Sequence, residues 1–105
     1  MKNKAINALL EMGMPANIKG FEYIVDTMIL FLDEEIRYGK TMFIYYNIAK
    51  KHNTKPTRVE RAIRHAFEVV LTKGNLKAVE KYLTTQNPTN GNLLHVLYLR
   101  LSQEE

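Results

Sequence analysis

The chain has 105 residues, with 15 Lys and Arg against 11 Asp and Glu, 46% hydrophobic residues and no Cys or Trp. This length suits one domain, residues 1–105, with a core of its own. The absence of cysteine excludes a disulfide framework, a Cys-ligated metal centre and a thiol nucleophile. The longest apolar run, Met28–Leu32, is too short to cross a bilayer. We expect no signal peptide and a cytoplasmic domain without membrane contact.

The spacing of apolar residues predicts an all-α bundle of six helices without strands. In chain order, the predicted helices are Lys4–Met12, Phe21–Tyr38, Met42–Lys51, Thr57–Lys73, Leu76–Leu83 and residues 89 or 90 to 101. The residues expected to cap helix N-termini are Asn3, Thr41 and Asn75. The residues expected to end helices are Gly13, Gly39 and Gly74.

The middle of the chain has the pattern of a helix-turn-helix. Ala49 supplies a small residue where two steeply crossing helices touch, and Asn53, four residues later, tolerates the positive φ that the turn needs. Val59 can fill the gap between the two helices. We therefore predict a helix-turn-helix over about residues 42–73, with its recognition helix at about 57–73.

The excess positive charge is concentrated in the same segment. Between residues 50 and 65, six Lys and Arg side chains stand against a single anion, Glu60. On a helical wheel, the fourth predicted helix is apolar on one half and has a ridge of Arg61, Arg64 and His65 on the other. Such a ridge is typical of a helix that binds the DNA major groove, where Arg matches the edge of guanine. The alternative interpretation is that this ridge is only the solvent-exposed face of the helix, with a chance excess of positive charge.

Two side chains of this segment have two open interpretations. Glu60 is either the N3 partner of Thr57 in a capping box or an acceptor for a cytosine amino group. His65 is either a surface histidine or a DNA contact. The spacing of His52, His65 and His95 fits no metal site. No catalytic constellation is present, so we expect no metal, no cofactor and no enzymatic activity.

Beyond these patterns, the chain resembles a known family. It is similar to the C-terminal, DNA-binding effector domain of the master sporulation response regulator of endospore-forming bacteria. The matching stretches are Gly13–Gly20, Ile48–Lys51, Arg58–Ala66 with Glu68 and Val69, Gly74–Asn75 and Pro88–Asn90. The resemblance implies a six-helix fold whose fourth helix reads a short DNA box, usually present as tandem copies.

The resemblance also implies roles for individual residues. A glutamate and two arginines of the fourth helix approach bases in the family, and two further side chains lie beside them here. The side chains expected at DNA bases are therefore Arg58, Glu60, Arg61, Arg64 and His65. Side chains at the preceding helix end and the turn would face the phosphates. These expected phosphate contacts are Lys50, Lys51, Lys55 and Thr57.

Three features depart from the family pattern. The N-terminal phosphoacceptor receiver domain is absent from the sequence. Tyr46 and Asn47 stand where the family has Pro and Asp. The connection Thr84–Pro88 is several residues shorter than expected, and in the family this region helps to contact DNA or the transcription machinery.

The sequence as a whole predicts a sequence-specific transcriptional regulator that binds double-stranded DNA. A further candidate partner is the sigma subunit of RNA polymerase. We expect a monomer in solution, associated with the nucleoid, two copies of which can occupy adjacent boxes in tandem. The alternative is a non-catalytic protein-interaction module that antagonises or modulates a full-length sporulation regulator or RNA polymerase.

Overall fold

A computed structural model describes residues 1–103, and these residues form seven α-helices without a strand. In chain order the helices are α1 (Lys2–Glu11), α2 (Lys19–Leu30), α3 (Glu34–Arg37), α4 (Thr41–Lys51), α5 (Pro56–Lys73), α6 (Leu76–Tyr82) and α7 (Asn90–Gln103). The all-α prediction is confirmed, whereas the count of six helices is wrong. None of the described helices combines the length and the apolar character needed to cross a membrane.

The additional helix arises because the predicted helix over residues 21–38 is interrupted after Leu30. Asp33 has an extended backbone, and its carboxylate accepts a hydrogen bond of 2.9 Å from the Glu35 N–H, so it caps a new helix. Arg37 Nη1 donates to the Phe31 carbonyl at 2.6 Å and satisfies a carbonyl at the end of α2. The consecutive acidic residues Asp33, Glu34 and Glu35 therefore form the start of α3, where negative charge favours a helix.

The remaining five helices agree with the predicted boundaries within two residues. Asn75 caps α6 as predicted, because its Oδ1 accepts a hydrogen bond of 3.1 Å from the Ala78 N–H. The caps predicted at Asn3 and Thr41 are wrong, since both residues lie within the first turn of α1 and α4. Gly13 follows α1 with a φ of +87°, a conformation that glycine adopts without steric cost.

The centre of the fold is the contact between α2 and α5, the most extensive one between helices. At Gly20, in the first turn of α2, a Cβ atom would lie 2.2 Å from the Ala62 carbonyl oxygen and 2.6 Å from the Ala66 Cβ. The two backbones therefore touch at a distance that only glycine permits. This contact fixes one face of α5 in the core and leaves the opposite face to solvent.

The connection between α4 and α5 is a tight turn. Asn53 has a φ of +52°, and the Thr54 N–H donates to the Ala49 carbonyl at 2.9 Å, which is the hydrogen bond of a Schellman motif. Ala49 and Val59 are buried on either side of the turn. The positive φ predicted for Asn53 is confirmed, and the placement of Ala49 and Val59 at the crossing of the two helices stays a prediction.

We expect Gly20→Ala to destabilise the fold, because the added Cβ meets backbone atoms of α5 that cannot move independently. Overpacking of this kind typically costs about 1–3 kcal/mol. Thermal unfolding followed by circular dichroism measures the loss. Gly39→Ala is the matched control: Gly39 is exposed, and its Cβ would lie 3.0 Å from the Glu35 carbonyl, so we expect a smaller loss. Equal stability of the Gly20 variant and the unmodified protein would contradict the close contact.

Candidate nucleic-acid interface

The outward face of α5 carries a ridge of cationic side chains. Its four members, all exposed, are Arg58, Arg61, Arg64 and His65; we call them the α5 ridge. The opposite face of the helix is buried and consists of Val59, Ile63, Ala66, Phe67 and Val70. The helical period thus separates the buried side chains from the α5 ridge, which lies in the N-terminal part of the helix. The sequence-based assignment of both faces is confirmed.

The start of α5 differs from the predicted capping box. Pro56 is the first helical residue, and Lys55, with extended backbone, is the N-cap residue. Proline favours both features, because its ring presets φ for the first helical position and pushes the preceding residue out of the helical region. Thr57 therefore lies inside the first turn, exposed, and does not cap the helix. The capping-box interpretation of Thr57 and Glu60 is wrong.

Glu60 instead contacts a member of the α5 ridge. Arg64 Nη1 donates to Glu60 Oε1 at 2.7 Å, one helical turn further along. Half-exposed pairs at this spacing contribute only about 0.2–0.5 kcal/mol. The pair therefore orients Arg64 at a small gain in free energy, so a competing acceptor can displace the carboxylate at little cost.

The three lysines before and within the turn are exposed, but they have different surroundings. Lys50 and Lys55 have no carboxylate within ion-pair distance among residues 1–103. Lys51 Nζ, in contrast, lies 2.9 Å from Asp26 Oδ1. Of the three lysines among the predicted phosphate contacts, two are therefore available, and the third is already paired within the protein.

Asp26 is a functional candidate that the sequence reasoning missed. It lies on α2 with 8% of its surface exposed, and its second oxygen is 2.6 Å from His52 Nε2. His52 also packs edge-on against the Tyr23 ring, with 5.0 Å between the ring centroids. The available signal was a single carboxylate in a stretch of α2 that is rich in apolar residues.

Glu22 lies next to this pair, and possible metal-ligating atoms of Glu22, Asp26 and His52 fall within 4.8 Å of one another. The Lys51 ammonium already supplies a cation to this cluster. The expectation of no metal site came from the spacing of histidines alone, and it stays a prediction.

The start of α7 is attached to the same region. The Asn90 side-chain amide donates to the Glu60 carbonyl at 3.0 Å and to the Tyr45 hydroxyl at 3.2 Å, which joins α7 to both α4 and α5. Burial raises the pKa of Tyr45, and the hydrogen bond from Asn90 acts in the opposite direction. These residues and Arg64 line an open cavity of about 520 Å³ at the edge of the α5 ridge.

The short connection before α7 is held in place by its own hydrogen bonds. Asn87 has a φ of +51°, and the Asn92 side-chain amide donates to the Asn87 carbonyl at 3.0 Å. The connection between α6 and α7 therefore forms a compact turn.

The exposed side of α4 is unusually apolar. Met42, Phe43 and Tyr46 are each more than half exposed. Together with Lys55 and neighbouring residues, Met42 and Tyr46 line a second open cavity, of about 530 Å³, beside the start of α5. An apolar surface of this kind is suited to contact with another protein.

We expect Asn90→Ala to loosen the start of α7 from α5. Each lost hydrogen bond should cost about 0.5–1.5 kcal/mol, because the Glu60 carbonyl and the Tyr45 hydroxyl lose their donor. Urea denaturation measures the change in the free energy of unfolding. Asn7→Ala, on the exposed surface of α1, is the control and should change little. A loss no larger than that of the control would show that the two hydrogen bonds do not hold α7.

A comparison with protein families finds one that accounts for this arrangement. The family model described as "Sporulation initiation factor Spo0A C terminal" matches residues 5–101. The match includes all of α2 to α6 and most of α1 and α7. The chain therefore belongs to the family of the Spo0A C-terminal domain, the DNA-binding effector domain of a sporulation regulator.

Proposed function

We propose that the protein is a sequence-specific transcriptional regulator in which α4, the turn and α5 form a helix-turn-helix, with α5 entering the major groove of double-stranded DNA. The observation that carries the proposal is the exposed α5 ridge opposite a fully apolar core face. The positive φ of Asn53 and the burial of Ala49 and Val59 support the helix-turn-helix assignment. A cationic helix on a rigid base is the usual arrangement for reading base edges.

Within this proposal, the polar side chains of the segment divide into two groups. The guanidinium group of an arginine can donate two hydrogen bonds to the edge of guanine, and a carboxylate can accept one from the amino group of cytosine. The proposed base contacts are Arg58, Glu60, Arg61, Arg64 and His65. Lysines and hydroxyls near the turn hold the backbone and carry no sequence information. The proposed phosphate contacts are Lys50, Lys51, Lys55 and Thr57.

The proposal includes the setting in which the protein works. It acts by binding alone, without catalysis, metal or cofactor, in the cytoplasm at the nucleoid. It is a monomer in solution, and two copies occupy adjacent boxes, where the DNA raises their effective concentration. The sigma subunit of RNA polymerase is a proposed second partner.

A second candidate function is supported by the apolar surface of α4. Exposed Met42, Phe43 and Tyr46 are suited to a protein-interaction module that modulates a full-length regulator or RNA polymerase. The two functions make opposite predictions for DNA. The module alone predicts only the weak, sequence-independent affinity of a basic protein.

We expect Arg61→Ala and Arg64→Ala each to lose about 1–3 kcal/mol on the family DNA box and far less on a scrambled duplex. Lys50→Ala should weaken both duplexes about equally, because a phosphate contact is independent of sequence. Electrophoretic mobility shift or fluorescence anisotropy measures both affinities. Lys77→Ala, an exposed lysine of α6 outside the cluster, is the charge-matched control. Equal losses on the two duplexes for the arginine variants would refute sequence reading by α5.

The salt dependence of binding provides a second test. If three to five phosphates are neutralised by each monomer, the slope of log K against log salt should be about −3 to −4.5, because each neutralised phosphate releases counterions. Titrations on the family box between 50 and 300 mM salt would measure it. A slope shallower than about −1 would favour the interaction module.

A further inference from the structure

The pair formed by Asp26 and Lys51 is asymmetric. The Asp26 side chain is 10% exposed and is also held by His52, whereas the Lys51 side chain is 62% exposed. The carboxylate is therefore a fixed part of the protein, and the ammonium sits at its solvent side. In such a partly desolvated site the attraction between the two charges exceeds that of an ordinary surface pair.

Lys51 is also one of the proposed phosphate contacts, in the last turn of α4. An ammonium group that approaches a phosphate while 2.9 Å from Asp26 would bring two anions close together. Their repulsion makes the carboxylate and the phosphate competitors for the same lysine. Lys50, the neighbouring residue, has no such competitor among residues 1–103.

We infer that Asp26 is an intramolecular competitor of the DNA phosphate: it competes for Lys51, so the phosphate contact proposed for this lysine forms only in part and the affinity of the protein for DNA is lowered. Asp26 acts through Lys51 without touching DNA itself, so it is a positioning residue. The inference rests on the proposed DNA-binding function and assigns to the Asp26 carboxylate the role of limiting the affinity for DNA.

The size of the effect follows from counterion release. A single additional phosphate contact steepens the log–log salt slope by about 0.9 and strengthens binding up to about eightfold at 0.1 M salt. Asp26→Asn should therefore produce a gain of roughly this size on the family box and on a scrambled duplex alike, because phosphate contacts are not sequence-specific.

Glu22→Gln provides the matched control. Glu22 lies one turn before Asp26 on the same helix and within the same cluster, so its substitution removes the same charge from almost the same place. The carboxylate within ion-pair distance of Lys51 is that of Asp26, so the control leaves the pair intact. A gain that comes only from a less negative protein surface would appear equally in both variants.

A double-mutant cycle then tests the route through Lys51. We expect Asp26→Asn to tighten DNA binding severalfold more than Glu22→Gln, and this excess to vanish when Lys51→Ala is also present. A gain that equals the control, or that persists without Lys51, would overturn the inference. A merely structural role for Asp26 predicts the opposite sign, which is weaker DNA binding.

Two further measurements keep the result interpretable. Asp26→Glu, which retains the carboxylate, should restore affinity toward that of the unmodified protein. In the unmodified protein, the hydrogens of the Lys51 ammonium group should exchange slowly with water in the absence of DNA, and their NMR signal should shift when DNA is added. Rapid exchange and an unchanged signal would overturn the inference. This measurement needs no variant, so it remains informative if Asp26→Asn fails to fold. If the unmodified protein binds no DNA, both the proposed function and the inference are refuted. If it binds DNA but the double-mutant cycle shows no coupling between Asp26 and Lys51, the inference alone is refuted.

Discussion

The backbone contact at Gly20 is the constraint on which the geometry of this domain depends. With the α2 backbone lying directly against Ala62 and Ala66, α5 has no freedom to rotate about its axis without creating a clash or a void. The orientation of α5 then determines which side chains reach solvent. The α5 ridge faces outward because of a contact made by another helix, about forty residues earlier in the chain.

The turn between α4 and α5 also fixes where these two helices end and begin. The Schellman motif at Asn53 ends α4, and Pro56 starts α5 three residues later, so both helix ends are set by local chemistry. The Asn90 side chain then fixes α7 against the same two helices. The result is a rigid base for the α5 ridge, which the proposed reading of base edges would require.

The electrostatics of the surface are less simple than a count of cations suggests. Arg64 is paired with Glu60, and Lys51 is paired with Asp26, so two of the cationic side chains in this segment already have an internal partner. The first pair is local and weakly bound, whereas the second links α4 to α2 through a buried carboxylate. The local environment of each cation therefore sets its contribution to DNA affinity, in addition to the number of cations.

Local patterns in the sequence determined the helical class, five of the helix positions, the core face of α5, the positive φ of Asn53 and the composition of the α5 ridge. These features depend on periodicity and on the conformational preferences of single residues, which can be read within a window of a few turns. The break between α2 and α3 was also encoded locally, by Asp33, but the apolar period continued across it and favoured one long helix. Only the tertiary structure decided that Gly20 is a contact point, that Asn90 joins three helices, and that Asp26 holds Lys51 and His52. These contacts join residues from about 25 to 45 positions apart, and no local pattern specifies which distant side chain will meet which.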